Sequence, residues 1–325
     1  TQWLAMAVAI LAARSNSDLS QAAMATGAAV GVQTMLNYTR DFEREADRIG
    51  IQTLERAGFD VRGMASFFER MQKFGRLYEN NAPGYLRTHP LTTERISDME
   101  HRILQAQYRQ VTDSLEFQLV RAKLRAGQGH PNDAITDFES QLRERKYLSE
   151  AAARYGLAVA QMRAKNYAAV DREIAELRRL KASSPMLDTL ATDTKKARGD
   201  LAGALKLYRE ARTRHPRNRA LLYGQIDALL ADGQAQEALK TATAELQLTP
   251  SDAALHGLQA KSHAALGKRL QQHRAQAELY VLQGYLAPAI QQLELAQKAG
   301  DGDYFEHSQV DARLRELRAR HLEEM

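Results

Sequence analysis

Two carboxylates, Glu43 and Asp47, lie four residues apart in the stretch Tyr38-Thr-Arg-Asp-Phe-Glu-Arg-Glu-Ala-Asp-Arg-Ile-Gly50. On a helix that spacing sets them one turn apart on nearly one face, where like charges are mildly destabilising. Two chemistries can hold such a pair. In one, Arg40, Arg44 and Arg48 neutralise both carboxylates and the face is an ordinary ion-laced surface. In the other, Glu43 binds a cation directly while Asp47 orients a ligand imidazole through its second nitrogen. Glu45, between them, points elsewhere on a helix and is no candidate ligand. Further along, Thr88-His89-Pro90 offers an imidazole in an extended segment, because proline disfavours helical backbone at the residue before it. Pro90 also suits the first turn of a helix carrying Arg95, Ile96 and Met99. Arg95 can pair with Asp47, or only with Glu94 or Asp98.

The elements that must position these groups are helical. Leu36, Ala46, Ile49, Thr53, Leu54 and Ala57 recur at three- and four-residue spacing, which predicts one helix from about residue 34 to 57 with Gly58 as its stop. Asp60 caps the next helix, which is expected to turn Met64, Phe67, Phe68 and Met71 toward a core. Upstream, 3–13 and 19–39 are two uncharged, Ala-rich runs. The first is shorter than the roughly 20 residues a bilayer requires. The second carries several polar residues, and its Gly27 and Gly31 would permit close helix approach. Two packed helices, or a hairpin making peripheral membrane contact through residues 1–39, both fit.

The composition supports an all-α protein. Of 325 residues, 44% are hydrophobic and 26% charged, with 7 prolines and 19 glycines, so long helices are permitted and disorder is not favoured. There is no cysteine, which excludes disulfides, thiolate metal sites and a cysteine nucleophile. The net charge of +5 comes from 45 basic and 40 acidic residues mixed along the same faces. No nucleic-acid partner is expected. The chain begins at Thr1 and reads as a mature or truncated product.

From about residue 113 the character changes. Gly199, Gly233 and Gly267 are each 34 residues apart, with Lys165 at the equivalent earlier position. Five residues after these come Val170, Ala204, Ala238 and Gln272, and Pro216 and Pro250 share the period. This is the tetratricopeptide pattern. Gly129 to Phe138 reads as an earlier, offset unit and Gly284 to Ile290 as a later one out of phase. The expected organisation is therefore 1–112 followed by a repeat domain, 113–325, whose surface binds peptides or partner proteins.

The run from Arg40 to Gly50, with Ala57-Gly-Phe-Asp60 after it and Thr88-His89-Pro90-Leu-Thr-Thr-Glu-Arg95-Ile96 beyond, resembles the HtpX/CAAX-prenyl-protease-like zinc metallopeptidases. The resemblance implies that residues 1–112 are the C-terminal portion of a helical, zincin-like metallopeptidase domain. In that family an H-E-x-x-H helix supplies two His ligands and the general-base Glu, and the Glu of E-x-x-x-D is the third ligand. Carried across, Glu43 is a zinc ligand and Asp47 its orienting neighbour. His89 either stabilises the oxyanion or binds zinc as a fourth ligand, closing the open position a catalytic zinc needs. His89, Asp47 and Arg95 form the implied catalytic set. No H-E-x-x-H occurs in the 325 residues, and no two of the nine histidines are four apart. Two His ligands are thus expected upstream, and this polypeptide is expected to be inactive alone. A peptidase domain followed by tetratricopeptide repeats further resembles periplasmic proteases of Gram-negative bacteria that act on outer-membrane β-barrel proteins and their assembly machinery. Two other readings stay open: a non-catalytic repeat scaffold or chaperone with a relic half-site, and a membrane-anchored interaction protein.

Overall fold

The computed structural model describes residues 41–77, 93–104, 106, 109 and 111–324. Among them are fifteen helices and no strand. They fall into two units, Thr1–Thr112 and Asp113–Met325. The runs of residues 1–39, Arg40 and the Thr88-His89-Pro90 segment lie outside the described residues. No described helix is long and apolar enough to cross a membrane.

The first unit contains α1 (41–56), α2 (Arg62–Leu77) and α3 (Thr93–Leu104). The stop after α1 follows the expected chemistry. Gly58 adopts φ +81°, and the Phe59 amide returns to the Leu54 carbonyl at 2.9 Å, a reversal that favours a residue without Cβ. Asp60 Oδ1 accepts from the Arg62 amide at 3.0 Å. The core is Ile51, Val61, Phe68 and Met99, with Leu54, Met64, Ile96 and Ile103 packed around it.

Most of the described periodic residues of α1 are exposed. Ala46, Ile49, Thr53 and Ala57 are exposed, as is Phe67 of α2. The residues buried along α1 are Glu43, Asp47 and Ile51, again at four-residue spacing. Leu54 of the periodic set packs against the core, and the buried carboxylates of α1 meet Arg95 of α3.

The second unit begins with α4 (Leu115–Ala126) and α5 (Pro131–Glu144). Four further helix pairs follow: α6 (Glu150–Arg163) with α7 (Tyr167–Arg179), α8 (Pro185–Ala197) with α9 (Leu201–Arg214), α10 (Arg219–Ala231) with α11 (Ala235–Leu248), and α12 (Ala253–Ala265) with α13 (Arg269–Leu282). It ends with α14 (Leu286–Gln297) and α15 (Tyr304–Glu323). The turns inside four successive pairs use one conformation: Lys165 at φ 60°, Gly199 at 81°, Gly233 at 73° and Gly267 at 71°. Lys165 takes it with a side chain attached, an uncommon state. The first helices of those pairs are capped at nearly the same period. Ser149, Ser184, Asn218 and Asp252 each accept a backbone N–H from the opening turn, satisfying one of its orphan donors.

Packing explains the small residues. Val170, Ala204 and Ala238 are fully buried, whereas Gln272 is half-buried. Gly156 and Gly224 lie against the rings of Phe138 and Tyr208; a Cβ built on Gly224 would meet Tyr208 Oη at 2.5 Å. Gly284, at φ 82°, is out of phase because it joins α13 directly to α14, whereas Pro216 and Pro250 lie in the links between earlier pairs.

Candidate metal centre

Three helices converge on one guanidinium. Arg95 of α3 donates from Nε to Asp47 Oδ2 and from Nη2 to Asp47 Oδ1, both at 2.7 Å. Its Nη1 lies 2.9 Å from Glu43 Oε2. All three residues are buried: Glu43 is 9% exposed, Asp47 5% and Arg95 8%. The third helix, α2, contributes Phe68, whose ring centroid is 5.4 Å from Arg95 Cζ. Forked, charge-assisted bonds of this kind are among the strongest in proteins, and they fix geometry as well as charge.

Among the described residues Arg95 is a cation that meets both carboxylates, and Arg44 and Arg48 of α1 serve other partners. Arg44 serves Asp41 at 3.1 Å and Glu94 at 3.0 Å. Arg48 serves Glu45, Nε to Oε2 at 2.7 Å. All three pairs lie on the surface and none includes a buried carboxylate. Arg95 reaches Asp47 and also Glu43. Glu94 and Asp98 are held instead by Arg44 and by Arg102 at 2.9 Å. The link from Arg95 to Glu43 and the ring of Phe68 beneath it had no signal in the spacing, since Phe68 read only as core.

A catalytic zinc takes three protein ligands and keeps one position open. The described residues hold two buried carboxylates side by side, Glu43 and Asp47. They fit the carboxylate position in kind. No group of three or more His, Cys, Asp or Glu that could hold a metal assembles among the described residues, so these residues alone do not complete a zinc site. His89 lies outside them. His256, His263 and His273 all lie in the second unit, on α12 and α13. His273 Nδ1 bonds Gln292 Oε1 at 2.9 Å, and burial pushes the His263 imidazole below its ordinary value.

The repeats carry grooves with mixed chemistry. One, of about 460 Å³ and formed by α7, α8 and α9, has Leu187 and Ala191 in its lining with Arg178, Asp188, Glu210 and Arg214.

Comparison with known proteins agrees with both units. Residues 1–103 match Peptidase family M48. Residues 119–185 and 193–253 match the tetratricopeptide repeat. The chain is 31% identical over 318 residues to the beta-barrel assembly-enhancing protease of Escherichia coli K12, covering 97% of this chain and 65% of that protein. It is 28% identical over 321 residues to the Yersinia pestis protein of the same name, with the same coverage. The chain thus spans 65% of the length of these relatives. Among solved structures, a tetratricopeptide repeat protein from Parabacteroides merdae aligns with a TM-score of 0.41 at 15% identity, over 85% of this chain and 98% of that one.

Proposed function

We propose that this chain, whose residues 1–103 match Peptidase family M48 and whose residues 119–185 and 193–253 match the tetratricopeptide repeat, belongs to a zinc-dependent endopeptidase of the cell envelope. The observation that carries this reading is the burial of Glu43 and Asp47 on one face of α1, in one fixed pose. Surface carboxylates at this spacing would be solvated and mobile. A ligand carboxylate must instead be desolvated and oriented, since outer partners of a metal ligand set its geometry.

In this reading residues 1–112 are the C-terminal portion of the metallopeptidase domain and 113–325 the partner-binding repeats. Glu43 is the carboxylate ligand, and Asp47 holds a ligand imidazole supplied by an H-E-x-x-H segment upstream. Without that segment the polypeptide lacks its general base and is inactive. His89 belongs to the same centre, as oxyanion stabiliser or as a fourth ligand that holds the enzyme off. Zinc bound there would supply a water with a pKa near 7 and polarise the scissile carbonyl. The relatives' name, beta-barrel assembly-enhancing protease, supports outer-membrane β-barrel proteins and their assembly machinery as clients and partners. The proposed site of action is the periplasm.

Zinc analysis tests the assignment. The protein carrying the H-E-x-x-H segment is expected to hold one zinc per chain and to lose it in Glu43→Gln. Stoichiometric zinc in that variant, or a coding sequence with no H-E-x-x-H before Thr1, overturns the reading.

A further inference from the structure

Arg95 lies 48 residues beyond Asp47 in the chain, on a different helix, yet one planar group holds both carboxylates of α1. Two desolvated carboxylates one turn apart repel each other and need a cation between them. Arg95 provides that charge in a fork. Nε and Nη2 fix both oxygens of Asp47, and Nη1 fixes Glu43 Oε2. Phe68 packs against the guanidinium, which limits its rotation. A lysine would deliver the same charge as a point and could not grip two carboxylates in one plane.

We propose that Arg95 is a positioning residue of the metal centre. Its guanidinium fork, seated on Phe68, sets Glu43 and Asp47 in register with each other, so that the ligand and its neighbour meet a divalent cation preorganised. The inference rests on the metal-site reading above. It also gives the Phe68–Arg95 contact a role beyond packing, since the ring steadies the group that steadies the ligand.

The test is zinc affinity, measured by competition with a chromophoric chelator in the protein carrying the H-E-x-x-H segment. Arg95→Lys keeps the charge and removes the fork. It is expected to weaken zinc binding about 10- to 100-fold, the usual effect of losing an outer partner of a metal ligand. A purely structural arginine would lower the melting midpoint of the zinc-free and zinc-loaded protein equally and leave the affinity unchanged. Arg95→Lys with wild-type affinity, while Glu43→Gln still abolishes binding, overturns this inference alone. Zinc retained by Glu43→Gln overturns the reading beneath it and the inference with it. If Arg95→Lys does not fold, Phe68→Leu decides. It keeps the arginine and removes the ring, and is expected to weaken zinc about threefold to tenfold. Unchanged affinity in that variant overturns the proposal.

Discussion

A carboxylate enters a protein interior only with a partner that repays its lost hydration. Asp47 therefore carries a consequence that its surface neighbours do not. Removing it leaves the Arg95 guanidinium buried with two of its donors unanswered, because the fork on Asp47 uses both Nε and Nη2. Breaking a buried pair from one side typically costs about 3–5 kcal/mol. Asp47→Ala is expected to lose about that much in denaturant unfolding of the first unit. Glu45→Ala removes a solvent-exposed pair with Arg48 and is expected to change little. A loss below about 1 kcal/mol for Asp47→Ala would mean that the triad is no tighter than a surface pair.

At the scale of elements, the repeats and the end of α1 at Gly58 were legible, and the buried face of α1 was not. Glycines at one period mark left-handed turns, a constraint the backbone imposes locally, so Gly199, Gly233 and Gly267 could be read without knowing any partner. The inward face of α1 depends on Arg95, on another helix. Periodicity of apolar residues such as Ala46 and Ile49 marks a helix and has no term for a buried ion pair, so it could not say that Glu43 and Asp47 turn inward. Phe67 and Phe68 show the same limit, since both are apolar and only Phe68 meets the core. The repeat packing itself makes a sharp prediction at Gly224. Its missing Cβ is where Tyr208 lies, with the hydroxyl and two ring carbons within 2.8 Å of the built position. Tyr208 cannot withdraw freely, because it is fully buried and its hydroxyl donates to Asp193 Oδ1 at 2.9 Å. Gly224→Ala is expected to destabilise the second unit by about 1–3 kcal/mol through overpacking, read from the shift in its denaturation midpoint. Gly233→Ala has open space around it and φ +73°, so its cost is backbone strain, with no clash.

Across the whole molecule, the carboxylate pair lies in Thr1–Thr112 and the proposed recruiting surface in Asp113–Met325, so the two proposed roles should be separable by substitution. A repeat array is nearly one-dimensional, and each unit draws stability from its neighbours. Damage to a central repeat therefore spreads along the array. Tyr208 is such a point, fully buried on α9 against Gly224 of α10, and its truncation is worth about 3–5 kcal/mol. Tyr208→Ala is expected to reduce capture of outer-membrane β-barrel clients and their assembly machinery severalfold while leaving zinc stoichiometry at wild type. Glu43→Gln is expected to do the reverse, losing zinc and keeping capture. Affinity isolation and metal analysis on the same two preparations check both arms. Capture that survives Tyr208→Ala would remove the repeats as the recruiting surface. Capture lost in Glu43→Gln would mean that partners are held through the metal centre, and that the division of labour read from the two units is wrong.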